Sequence, residues 1–138
     1  MGYRRTTLSE LPSQPTDLVE AGWKPVRHHF GIEAFGVNGY VANAAGQLVI
    51  EEHAEGEGGF QELYVVLAGV ARFTVDGDSF DAPAGTLVYV DPETERVAWA
   101  NEPDTAVLAV GAVEGQAFAV SDWESGRLEQ GTSDDPRT

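Results

Sequence analysis

The chain reads as an all-β domain, a sandwich or barrel of short strands, and three observations say so. From Val26 to Ala112, apolar and β-branched residues come in runs of strand length broken by glycine and acidic turns. No apolar repeat at helical period is sustained through the middle of the chain. Asp76-Gly77-Asp78, set between two such runs, is a hairpin signal because Gly77 can adopt the positive φ of a tight turn.

Residues 1–25 mix polar residues with Pro12, Pro15 and Pro25. They read as an N-terminal arm draped over the domain, with a short helical or turn segment around Thr16 to Ala21. The body spans residues 26–123, and its expected strands are VRHHFGI (26–32), GYVANAA (39–45), QLVIEEH (47–53), ELYVVLAG (62–69) and ARFTVDG (71–77). DSFDAP (78–83), TLVYV (86–90), RVAWAN (96–101) and AVLAVGA (106–112) complete it, with a second turn at Glu102-Pro103-Asp104. Residues 124–138 hold few apolar side chains and are expected to be a disordered polar tail, with Trp123 the last anchor.

At 138 residues and 42% apolar content the chain suits one domain with one core. Eight Lys+Arg against 23 Asp+Glu leave a formal charge of −15, which repels polyanions, so nucleic acid and anionic membrane surfaces are excluded as partners. No apolar run reaches the roughly 20 residues of a membrane span, and the N-terminus lacks a signal-like apolar core, so a cytoplasmic location is expected. There is no cysteine. Thiolate chemistry and cysteine-ligated zinc are therefore excluded, and any metal must be held by nitrogen and oxygen.

The stretch ELYVVLAGVARFTVDGDSFDAPAGTLVYV resembles the cupin superfamily, specifically its small single-domain members, and the resemblance extends over roughly Gln47 to Ala112. It implies a small cupin-type β-barrel, a double-stranded β-helix or jelly roll, with an N-terminal arm. Glu62 and Gly69 match the glutamate and closing glycine of the first cupin motif. The motif's histidine pair is not matched. With GEGG taken as a lengthened loop, His53 and Glu55 fall at the two histidine positions; with the usual spacing those positions hold Glu55 and Glu57, or Gly56 and Gly58. In the second motif Gly85 is the opening glycine, Asp91 stands at the proline and Glu93 at the glycine. Arg96 then occupies the fourth ligand's histidine position and Ala100 the asparagine position.

An arginine has no lone pair and stays protonated, so it cannot ligate a cation and repels one nearby. If Arg96 faces the interior, its guanidinium takes the place of the missing ion and makes a forked contact with Glu62 and Glu55. A slip of one residue would put it on the surface instead, because strand faces alternate. Tyr64 shares a face with Glu62, as wall of a pocket or as ordinary core, and Trp99 points away from the face of Arg96, Ala98 and Ala100. Phe73, Val75, Val88 and Val90 read as core. Alternation places Glu51, His53 and Glu55 on one face, either a solvated acidic rim or part of a metal site. His28 and His29, adjacent on an expected strand, face opposite ways and read as structural or as an oligomer contact.

The first functional expectation is a metal-free module, without cofactor, that binds a small molecule through Glu62, Arg96 and Tyr64, with an anionic group of the ligand meeting Arg96. The alternative is a metal-dependent enzyme of isomerase or dioxygenase type, holding Fe, Mn, Ni or Zn on His53, Glu55 and Glu62. A third is an interaction domain. Because small cupins commonly pair, the resemblance implies a homodimer, with the arm and the edge strands near residues 26–45 as the contact.

Overall fold

A computed structural model describes residues 2–132. Among them nine strands form two antiparallel sheets: β1 (Gly22–Lys24), β2 (Gly36–Val41), β3 (Leu48–His53), β4 (Phe60–Ala68), β5 (Val70–Val75), β6 (Asp78–Pro83), β7 (Leu87–Val90), β8 (Arg96–Ala100) and β9 (Ala106–Val113). Five strands lie in the order β1-β2-β9-β4-β7 and four in the order β3-β8-β5-β6. The sheets face each other without closing into a continuous hydrogen-bonded barrel.

Alternation decides what enters the space between them. On β4 the even positions Glu62, Tyr64 and Val66 point inward; Ala71 and Phe73 do so on β5, and Arg96, Ala98 and Ala100 on β8. Tyr64, Phe73 and Phe80 form an aromatic ladder at successive centroid distances of 5.8 Å. Phe73, Val88 and Val90 are buried, with Val75 packed at the margin, as expected for core, and Trp99 points out. At the β5–β6 hairpin both Asp76 (φ 51°) and Gly77 (φ 79°) take the left-handed conformation, the geometry of a two-residue turn that matches strand twist.

The body departs from expectation at its two ends. VRHHFGI is not a strand: Val26–Phe30 form the short helix α1, opened by Pro25 and closed by Gly31 in the left-handed conformation, with its N–H on Arg27 and His28 carbonyls. His28 and His29 are exposed there, so strand alternation does not apply to them. Residues 124–132, expected as part of a disordered polar tail, instead belong to helix α2 (Asp122–Thr132). Ser121-Asp122-Trp123-Glu124 caps that helix, the Ser121 hydroxyl accepting from the Glu124 N–H at 3.2 Å. The remaining residues of that tail, 133–138, lie outside the described residues.

The arm does lie over the domain: Leu11, Val19 and Ala21 are buried, and Gln14 bridges Trp23 by backbone bonds. Thr16 to Ala21 is a series of bends rather than a helix. Its final residues become β1, which pairs with β2, so the stretch near 26–45 offers no free edge in this sheet.

Candidate functional site

The two sheets enclose a cavity of about 260 Å³. Its wall on the five-stranded sheet comes from two inward rows: Gly36, Gly111 and Glu62 lie side by side on β2, β9 and β4, and Asn38, Ala109 and Tyr64 form the next row. From β3 come Val49, Glu51 and His53, and a register shift between Ile50 and His53 turns this strand's end toward the interior. Phe118, Trp123 and Glu124 cover another side.

Gly111 is there for space. A Cβ on it would lie 2.8 Å from the Gln61 carbonyl oxygen and 3.1 Å from Cγ of Glu62, so any side chain would push the carboxylate aside.

Arg96 pairs with His53 across β3 and β8, faces inward and is 0% exposed. Its Nη1 donates to Glu62 Oε1 at 2.8 Å, Nη2 to the Asp91 carbonyl at 2.8 Å and Nε to the Thr94 carbonyl at 3.1 Å. The expected fork onto two glutamates is thus corrected, since Glu55 stands off at 3.6 Å and the β7–β8 turn takes the other donors. Nor does Arg96 line the cavity. Its Nε, Nη1 and Nη2 each donate to a protein acceptor behind the wall.

His53 bridges the set. Nδ1 donates to the Glu51 carbonyl at 2.8 Å, and Nε2 lies 2.9 Å from Glu55 Oε2 and 3.7 Å from Glu62 Oε1. Both ring nitrogens face acceptors, so the ring is an imidazolium. Burial opposes that charge, but the Glu55 and Glu62 carboxylates outweigh it and push the pKa up to about 10. The 3.4 Å approach of Arg96 Nη1 to His53 Nε2 is then a contact between two cations, held by two carboxylates.

Glu62 accepts from Tyr64 Oη at 2.6 Å as well as from Arg96. Burial works against its ionisation, yet His53, Tyr64 and Arg96 hold its pKa below the usual carboxylate range. Burial and that same carboxylate drive the Tyr64 hydroxyl far upward. Tyr64 is only 1% exposed, so it is both core and wall. At Glu51 burial raises the pKa.

His53, Glu55 and Glu62 offer three ligand atoms within 4.8 Å of one another. On donor type alone they match a Mn, Fe, Ni or Zn site. With Arg96 among them they do not fit: Glu62 is committed to a guanidinium, and His53 would have to lose a proton and then hold a dication beside a permanent cation.

Sequence reasoning missed the helical side of the cavity. Arg27 Nε donates to Glu124 Oε2 at 2.5 Å and its Nη1 to the Ile32 carbonyl at 2.9 Å. Asn38 Nδ2 donates to Glu124 Oε1 at 3.3 Å and accepts from Trp23 Nε1 at 3.0 Å. Trp123 packs on Trp23 with centroids 4.6 Å apart, and Arg127 pairs with Asp17, so α2 is seated by two ion pairs, an aromatic contact and the buried Leu128.

No protein-family model matches the chain, and no curated protein does. Solved structures do. A predicted oxalate decarboxylase from Thermotoga maritima superposes with a TM-score of 0.65 at 18% identity, over 80% of this chain and 99% of that one. A cupin protein from Bacteroides fragilis gives 0.59 at 17% identity over 81% and 93%, and KdgF from Halomonas sp. 0.58 at 18% over 75% and 88%. At such identities the likeness concerns the fold, and the fold is that of the cupins.

Proposed function

A chain with the cupin fold need not hold an ion, and we propose that this one is a metal-free module that binds a small molecule in the cavity between its sheets. One observation carries the reading: the fully buried Arg96 guanidinium, bonded to Glu62 and set against His53 and Glu55. A cation built into the chain compensates the carboxylates and makes a bound one superfluous. With the Glu62 charge met from within the chain, a cavity of about 260 Å³ suits a molecule smaller than the ligands of typical 300–1,000 Å³ pockets.

The second reading, a metal-dependent enzyme of isomerase or dioxygenase type, is favoured by the 4.8 Å cluster of His53, Glu55 and Glu62. Elemental analysis of chain purified without chelator separates the two. The expected result is no stoichiometric Fe, Mn, Ni or Zn in the natural chain, with measurable uptake in Arg96→His, which supplies a neutral ligand in place of a cation. Stoichiometric metal in the natural chain, lost in His53→Gln, would sink the binding-module reading.

For self-association we propose a homodimer through a different surface from residues 26–45. The outer face of β4 and β7 exposes Leu63, Leu67, Leu87 and Tyr89, and β7 is an edge strand. The chain is expected to sediment as a dimer and Leu87→Lys as a monomer. A monomeric natural chain at micromolar concentration refutes the dimer. Among the described residues no helix is long and apolar enough to cross a membrane.

A further inference from the structure

Granted that the cavity binds a ligand, the hydrogen-bonding capacity left over on its wall restricts the kind of ligand. The cationic groups around it are each paired with a carboxylate of the chain. Arg96 is bound by Glu62 and two carbonyls, His53 by Glu55 and the Glu51 carbonyl, and Arg27 by Glu124 and the Ile32 carbonyl. The Asn38 amide is used at both ends. The Trp123 indole N–H is buried and has no partner among the described residues, an uncharged donor on a residue of the wall. Uncharged donors remain, the Ser121 hydroxyl and the second N–H of Asn38 among them, but the charged groups with capacity to spare on the lining are carboxylates. The Glu51 side chain has no hydrogen bond among the described residues, and each carboxylate of Glu55 and Glu62 keeps one oxygen free. The Tyr40 hydroxyl, also on the wall, is unpaired among the described residues and can accept as readily as donate.

Charge points the same way. Glu51, Glu55, Glu62 and Glu124 set four negative charges against the three positive charges of Arg27, His53 and Arg96, so one negative charge is uncompensated. Glu51 is the carboxylate with no cation in an ion pair with it. An anionic ligand meets that surplus, and a ligand without donors strips water from Glu51 and returns nothing. An ammonium group supplies three donors and a charge. Val49, Phe60, Ala109 and Trp123 provide an apolar remainder of the wall, and aromatic faces themselves attract a cation. A net charge of −15 concentrates cations around the chain before they bind.

We infer that the ligand is a protonated amine carried on a small apolar body, with its ammonium group held by Glu51. Benzylamine, benzyl alcohol and benzoate share a ring and differ in the head group, so titrating each into the full chain at neutral pH, read by amide chemical shifts, tests the inference. Benzylamine is expected to shift residues around Glu51 and Tyr40 and to bind at least tenfold more tightly than the other two. Glu51→Gln, whose wild-type side chain makes no hydrogen bond to lose, should weaken benzylamine at least tenfold and leave benzyl alcohol unchanged. Benzyl alcohol or benzoate binding as tightly as benzylamine on the natural chain overturns the amine and leaves the cavity a ligand site. An unchanged benzylamine affinity in Glu51→Gln does the same. No shift at cavity residues with any of the three overturns both.

Discussion

Two arginines are buried beside the same cavity, and each grips a glutamate, but Arg96 is held by strands and Arg27 by helices. Arg96 sits on β8 in the middle of a four-stranded sheet, Glu62 on β4 in the middle of the other, and the β7–β8 turn closes over the guanidinium with two carbonyls. That pair cannot part unless the sheets do. Arg27 lies on the five-residue helix α1, and Glu124 on a terminal helix whose other named anchors are Trp123 on Trp23 and Arg127 on Asp17. The same chemistry therefore joins two sheets on one side and two helices on the other, and the helix pair is expected to open more readily, because an ion pair is only as stiff as the elements that carry it.

The largest expected effect comes from breaking the strand side. Arg96→Met leaves Glu62 without its cation inside the protein and should lower global stability by about 3–5 kcal/mol in denaturant titration. A loss under about 1 kcal/mol would show that the pair does not hold the sheets together. On the helix side Glu124→Gln should cost about 1–3 kcal/mol at most, because α2 can lift and let water reach Arg27. Hydrogen exchange should quicken in α2 while amides of β4 and β5 keep their protection; uniform loss of protection would erase the contrast. The smallest effect is on pH. His53 has a folded pKa raised to about 10 from an ordinary 6.5, so its stabilisation is complete below about pH 6.5 and lost as pH rises through 10. The natural chain's melting temperature should fall across that window, by the equivalent of on the order of 1–2 kcal/mol, and that of His53→Gln should stay flatter. Parallel curves would mean that the ring is neutral.

Much of the strand side was legible in the sequence, since the evidence there is local. Alternation in ELYVVLAG and RVAWAN groups Glu62 with Tyr64 and Arg96 with Ala98 and Ala100, while the inward turn of Arg96 is the structure's own, and the GEGG turn between Glu55 and Glu62 has Gly56 and Gly58 at positive φ. The resemblance to cupins picked out Arg96 as the anomaly. What could not be read was which partners the guanidinium would choose, because carbonyls of Asp91 and Thr94 come from turn geometry that residue types do not encode. The helix side was missed for another reason. Pro25 before and Gly31 after VRHHF are helix-boundary signals overridden there by β-branched and aromatic content. Ser121 and Glu124 have the spacing of a capping box, at the border where the body was expected to give way to a polar tail. Its glutamate turns away from the cap toward Arg27, so a local motif serves a distant contact.

The glycine opposite Glu62 has a consequence of its own. Residue 111 interacts by what it lacks: a methyl group there would lie 3.1 Å from Cγ of Glu62, and the neighbouring Gly36 extends that bare strip to the covering Phe118 ring. A change as mild as Gly111→Ala would thus press on the Glu62 side chain and narrow the chamber in one stroke, so the shape of this cavity is inscribed in omitted atoms as much as in charged ones.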